Sequence, residues 1–530
     1  MSIFTQDYKN TYIDLLVDDI SASANTSAAN NLYYLCLGGH APFADDTNPP
    51  TETNNTGNYY YKVLSEMLMG KQLGSSDIKK VVKRYNWSTG TKYRQYDDQD
   101  TALYSNTNGF YVYTDDGNVY KCLSNGYESN STVKPTGTSN SSFYTEDGGQ
   151  TDGYKWKYMY SIDTSTNTNF VTSDFITVDT NANVVSTAVN GAIENVILGS
   201  NGAGYVAYLR DGIVNSVVNT TTLTITASIG SSILVDNSFN ESAIHFTSGD
   251  INGTVRKVQS FVANTRTITL DSPISGMTSA SQSSEFDIMP AVNIFGDGTG
   301  AVAVANVDSN SNTITNIKIL EVGQNYSYSN VSITAATGFF TLGATARAII
   351  SPHGGHGSQA AEELNVQHFE LFKSFSGTDS NLDANNITFR TVSILKNPTT
   401  RGTTTAYTGT TFTQIQSVGL FRTDPGSTDV FSNNDFIKTD SANGSVVFAN
   451  STVLKVANSF GTFLNGETIS LFDSTTNTYS SSVYVINTNA LAVNTADLNT
   501  FSGEVLYYDN ILPATRTASA SENVRLIVKV

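Results

Sequence analysis

Apolar positions recur with helical spacing only near the start of the chain. Tyr8, Tyr12, Leu15 and Leu16 do so within Gln6–Ile20, which runs into a Ser/Ala/Asn stretch. Tyr61–Leu73 places Val63, Leu64, Met67 and Leu68 on one face, and Ser76–Asp77 then caps a further piece, Ile78–Arg84. The spacing predicts three helices whose aromatic and Met stripes face a core. After Tyr85 the period becomes two. Phe110–Tyr113 and Val119–Leu123 flank Asp115-Asp116-Gly117-Asn118, which has the chemistry of a hairpin turn. Tyr154–Ile162 alternates so that Tyr154, Trp156, Tyr158 and Tyr160 share a face.

From about Ile193 onward, short strands and turns follow one another: Thr222–Ser228, Thr267–Leu270, Ala301–Val307, Ile314–Leu320, Ala344–Ile350. That rhythm predicts a mainly β chain: multi-domain β-sandwiches, a few short N-terminal helices and inserted small β-modules. Residues 190–350 and 402–500 are poor in charge and rich in Thr, Ser, Asn and Gly, as β-rich insertions would be; Phe463–Leu471 reads as a turn entering a strand. A weak repeat lies in the first of these regions. Ile193-Glu-Asn-Val196 leads to Gly202 and Tyr205, and Ile314-Thr-Asn-Ile317 leads to Gly323 and Tyr326 at the same spacing. Two copies 121 residues apart suggest duplicated β-modules rather than a solenoid.

Length and composition sharpen this reading. At about 150 residues per domain, 530 residues suggest three or four folding units. Charged residues make up 14% and aromatic residues 11%, so turn-forming polar residues replace ionic ones without the composition of a disordered chain. The net charge of −18 repels phosphate backbones and anionic membrane surfaces, so neither nucleic acid nor membrane is an expected partner. No run reaches the apolar length of a membrane span, and the first residues lack the apolar stretch of a signal peptide. Cytoplasmic synthesis is the expectation. Cys36 and Cys122 sit in apolar strand-like runs and read as buried free thiols.

The search for chemistry finds no convincing catalytic constellation. Gly296-Asp-Gly298-Thr-Gly300 imitates a dinucleotide loop, but an alternating strand follows where a phosphate site needs a helix, so it reads as a β-turn. His353 and His356, three apart in Ser351-Pro-His353-Gly-Gly-His356-Gly, could hold half of a metal site with His368 or Glu362. The same pattern fits a glycine-rich crossover loop, which is the preferred reading. Among the acid pairs, Asp45-Asp46 and Asp115-Asp116 fit turns. Asp97-Asp98 lies beside Tyr93 and Tyr96, which could line a sugar site or serve glycoside cleavage. No cofactor and no catalytic residue are assigned.

Five segments together resemble one family. They are Asn31–Phe43; Val82–Tyr96, with Arg84, Trp87, Tyr93 and Tyr96; Asp152–Tyr158, with Tyr154 and Trp156; Phe389–Pro398, with Phe389, Arg390, Asn397 and Pro398; and Ser502–Asn510 with the closing run Glu522–Val530. In order and combination they resemble the baseplate wedge subunit of T-even-type contractile-tailed phages, the gene product eight family. The resemblance covers roughly residues 1–185, 360–400 and 500–530. The two charge-poor regions depart from the short form of the family and look like a long form from myophages of cyanobacteria.

The resemblance implies two β-sandwich domains, one inserted in the other: a host domain of 1–80 plus 368–530 and an inserted domain of 81–367. It further implies a non-enzymatic virion protein, a homodimer in the tail baseplate that contacts other wedge proteins and takes no small-molecule substrate. The matching residues would fix the domain junction and core rather than touch partners. The alternative is a carbohydrate-binding tail or receptor-recognition module, and a depolymerase using Asp97 or Asp98 comes third.

Overall fold

Alternating apolar residues form strands here wherever a second layer covers them. The computed structural model describes residues 5–22, 31–53, 59–105, 108–147, 150–206, 208–226, 235–376, 379, 386–427, 431–491, 493–517 and 521–530. The chain is mainly β, with several sheets, one small closed barrel and a few short helices. It divides into two compact units, Met1–Val81 with Val366–Val530, and Val82–Asn365.

In the discontinuous unit, an antiparallel sheet runs in the order Thr411–Thr413, Met67–Gln72, Tyr33–Gly38, Thr388–Lys396, Glu504–Thr515. Its central strand, Tyr33–Gly38, is buried at every position, which a continuous apolar run permits. Cys36 lies between Gly70 and Ser393. Gly70 is required there: a Cβ would sit 2.3 Å from Cε1 of Phe412, whose ring fills the space. Leu32, Tyr34, Cys36, Leu64, Met67, Leu395 and Phe412 form the core, and the Tyr34 hydroxyl donates to the Tyr407 carbonyl at 2.8 Å. Each large apolar side chain buried this way stabilises by about 1.5–3 kcal/mol. In the same unit Ser521–Lys529, His368–Ser376 and Ile78–Val81 pair in that order. Gln416–Ile486 holds the closed barrel, filled by Val418, Ile437, Val446, Leu454, Val456, Ile469 and Ile486.

The helix expectations need three corrections. Gln6–Ala22 is a helix, but Tyr8, Tyr12 and Leu15 are exposed, and Ile13 and Ile20 are its buried apolar residues. The stripe expected in the core faces outward. Within 61–73 the helix is only Tyr59–Ser65, and Met67–Gln72 is a strand. Ile78–Lys83 is also a strand; Ser75–Asp77 forms one turn in which the Asp77 carboxylate accepts from the Gly74 amide. Both runs are short and largely buried, a situation in which apolar period does not discriminate and sheet pairing decides.

In the continuous unit, Tyr111–Tyr113, Asn118–Asn125, Gln150–Ser161 and Phe143–Asp147 form a four-stranded antiparallel sheet. The first two are joined by the expected turn, with Gly117 at φ 81° and Tyr113 opposite Val119. Further on, Leu209–Asn219, Thr222–Ile225, Thr267–Leu270, Val255–Val262, Ser242–Phe246 and Glu285–Gly296 are bonded in that order. The first pairs back on the last, Leu209 opposite Ile288. This ring encloses Phe239, Ile244, Phe246, Phe261, Ile268 and Phe286. The end of Glu285–Gly296 turns at Asp297 into Thr299–Val307, so the glycine-rich Gly296–Gly300 is a hairpin turn.

The two repeat copies share one core rather than forming separate modules. Ile193–Ser200 pairs with Thr345–Ile350, and Ile314–Gln324 pairs with Thr299–Val307. Ile193, Tyr205, Ile314 and Tyr326 lie in the same buried cluster. Gly202 and Gly323 take matching left-handed conformations, φ 61° and 63°.

Candidate functional site

In the continuous unit, the family-pattern residues converge on the sheet built around Gln150–Ser161. Tyr154 and Trp156 are fully buried and stacked, ring centroids 5.4 Å apart. The Tyr154 hydroxyl donates to the Ser129 carbonyl and accepts from the Tyr93 amide. Tyr93 packs edge-on against Trp156, and its hydroxyl donates to the Asn86 carbonyl at 3.0 Å. Trp87 donates its indole N–H to Ser131 Oγ at 3.1 Å. Arg84 lies over the Tyr113 ring and donates to Asn86 Oδ1 and to the Thr172 carbonyl. Tyr96 is buried with its ring 4.3 Å from the Lys121 ammonium. Tyr93 and Tyr96 are therefore interior residues and line no sugar site.

In the discontinuous unit, Phe389 is buried and Arg390 grips Asp46 with two nitrogens, at 2.9 and 2.6 Å, and the His40 carbonyl with the third. Asn397 adopts φ 50°; its side chain accepts from the Leu32 amide at 2.8 Å and donates to Asn31. The carbonyl of Pro398 accepts from the Tyr407 amide. These side chains close loops onto strands within their own unit.

The histidine pair separates. His356 is buried, with Nδ1 3.2 Å from Glu363 Oε1 and Nε2 2.8 Å from the Tyr158 carbonyl. Both ring nitrogens lie against oxygen atoms of the protein interior. His353 is exposed and meets only the Gln359 amide among the described residues. Among the described residues no three His, Cys, Asp or Glu side chains are grouped to hold a metal. The acid pairs are also engaged. Asp97 and Asp98 pair with Arg347, Asp98 also accepts from the Ile350 amide, and Lys134 bridges Asp115 and Asp116.

Pattern reading missed a sealed ion network. Lys121 Nζ lies 2.5 Å from Glu194 Oε2 and 2.6 Å from Glu363 Oε1, and none of the three side chains exceeds 1% exposure. The Glu363 carboxylate also accepts from the Gly357 amide at 2.7 Å. Burial alone would raise Glu363, but Lys121 and His356 outweigh it and hold the carboxyl well below its ordinary value. Burial opposes the charge on Lys121, and Glu194 and Glu363 push it above its ordinary value. With no solvent access the network cannot meet a substrate; it joins three strands and the Ala360–Glu363 turn. Its one sequence signal was a lysine inside an otherwise apolar buried strand, Val119-Tyr-Lys-Cys-Leu123.

A second ionisable group was also missed. Glu370, on the strand His368–Ser376, is fully buried, and neither carboxylate oxygen has a hydrogen-bond partner among the described residues. Burial pushes it up to about 7 against the pull of Arg525.

Three surfaces remain. In the discontinuous unit, Tyr8, Tyr12 and Leu15 form a stripe on the first helix, exposed by 56%, 55% and 65%. The strand Glu504–Thr515 ends its sheet, with Leu506 and Leu512 exposed. In the continuous unit, a groove of about 650 Å³ is bordered by Tyr127, Tyr144, Asn195–Leu198 and Thr315–Ile317.

Compared with known protein families and with curated proteins, the chain matches no family model and no curated sequence.

Proposed function

We propose that this chain is a structural subunit of a contractile-tail baseplate: the wedge connector its sequence resembles, working as a homodimer between neighbouring wedge proteins in the virion. The observation that carries the reading is the outward stripe of Tyr8, Tyr12 and Leu15 on Gln6–Ala22. Apolar side chains at i, i+4 and i+7 have the spacing by which one helix packs on another, and a contiguous exposed apolar patch marks an interaction surface. The strand Glu504–Thr515, which ends its sheet with Leu506 and Leu512 exposed, adds a second surface on the same unit.

In this reading the units are rigid bodies. Buried sheets, the Arg390–Asp46 pair and the sealed Lys121 network resist deformation, while surfaces carry load between subunits. Rearrangement of the baseplate draws its energy from exchanged interfaces, not from chemistry in this chain. The net charge of −18 opposes unspecific clustering of free dimers before complementary partners cover them.

The test is light scattering of the purified chain, with co-purification of co-expressed wedge proteins from the same genome. A dimer that retains those proteins supports the reading; a monomer that retains none refutes it.

A further inference from the structure

We propose that the groove on the Val82–Asn365 unit binds a neutral oligosaccharide. This goes beyond the wedge reading and does not depend on it. The groove holds about 650 Å³, the scale of a pocket for a small ligand.

Two tyrosine rings stand at its border. Tyr127 is 66% exposed and Tyr144 46% exposed, where tyrosines of this chain are more often core. Tyr127 is held there deliberately: its backbone is left-handed, φ 58°, as is that of Glu128, φ 65°. A non-glycine residue in that region costs free energy and persists where the surroundings enforce it. The Tyr127 hydroxyl donates to the Thr315 carbonyl at 3.1 Å, which fixes the ring across the groove. A flat, fixed, solvent-facing ring offers its π-face to the C–H face of a pyranose without further ordering cost.

Planar polar groups complete the lining. Gln95 and Glu146 have side chains with no hydrogen-bond partner among the described residues, so both can meet sugar hydroxyls. Charge selects the ligand class. Asp97, Asp100, Glu128 and Glu146 line the groove; Arg347, Arg94 and Lys92 pair with the first three, so among the described residues no cation lining the groove is left unpaired to hold an anion. An anionic polysaccharide or a nucleic acid is repelled. An added polypeptide strand is disfavoured as well, because Tyr127 already occupies the edge carbonyl of Thr315 that such a strand would use.

The experiment is saturation-transfer NMR on the full chain with maltohexaose, cellohexaose and chitohexaose as separate probes, beside an alginate hexasaccharide and an octalysine peptide. Transfer to at least one neutral hexasaccharide is expected. Tyr127→Ala and Tyr144→Ala should each weaken that binding by about tenfold, and Tyr127→Phe, which keeps the ring but loses the bond that fixes it, should weaken it less than Tyr127→Ala. Circular dichroism and the thermal midpoint should not move, since both rings are exposed. No transfer to any neutral probe at millimolar concentration would overturn the proposal. So would binding that both alanine variants leave intact, or a preference for the polyuronate or the peptide.

Discussion

The amide of Tyr205 donates to the carbonyl of Asn312 at 3.0 Å, and the amide of Tyr326 returns the bond to the carbonyl of Gly191 at 3.1 Å. The two tyrosines are equivalent in a sequence repeat, and so are the two acceptors. Each copy thus closes the start of the other, and one core serves both. Both accepting residues are left-handed, Gly191 at φ 61° and Asn312 at φ 53°.

That exchange makes the two positions unequal to substitution. A Cβ on Gly191 would sit 2.4 Å from the Tyr326 amide nitrogen. Gly191→Ala should destabilise by about 1–3 kcal/mol. Asn312→Gly removes a strained side chain and should change stability by no more than about 0.5 kcal/mol. Chemical denaturation of the two variants checks the asymmetry.

Lys121 is the buried cation between Glu194 and Glu363, with Lys157 beside the first carboxylate and His356 beside the second. Lys121→Met should cost about 3–5 kcal/mol, because it leaves Glu194 and Glu363 buried together. Adding Glu194→Gln and Glu363→Gln should recover part of the loss. Both carboxyls are held below their ordinary value of 4.5 in the folded chain. Their contribution is therefore present above pH 4.5 and lost as pH falls below it. Denaturation midpoints across that range should drop for the wild type, and drop less for the triple variant.

Glu370 gives the opposite sign. Its folded value is raised from 4.5 to about 7, so the folded chain prefers the protonated form. The associated stability is complete below pH 4.5 and lost as pH rises through 7, up to about 3 kcal/mol in all. Glu370→Gln should flatten that slope and be the more stable protein at pH 8. Urea unfolding at pH 5 and pH 8 distinguishes the two.

The β architecture was legible because the alternation of Tyr154, Trp156, Tyr158 and Tyr160 admits only a strand, and all four rings are buried as that period requires. Met67–Gln72 and Ile78–Lys83 were not legible. Short, largely buried runs lack the polar positions that fix a period, and their sheet partners lie far along the chain. The Tyr8–Leu15 stripe shows the converse: its spacing was read correctly as helical, but spacing alone does not say which side the core is on. Residue types carried Arg84, Trp87 and Arg390 to notice, while their partners, Asn86, Ser131 and Asp46, became visible only in three dimensions. The Lys121 network escaped for the same reason, since its acids come from two distant segments.

The proposed dimer closes through the outward face of the first helix, at Tyr8, Tyr12 and Leu15. Sedimentation velocity of the wild type beside Tyr12→Glu with Leu15→Glu tests it most directly. The expected result is a wild-type particle of twice the 56.9 kDa chain mass and a monomeric, equally folded variant. A wild-type monomer, or a dimer that the two glutamates leave intact, would contradict it.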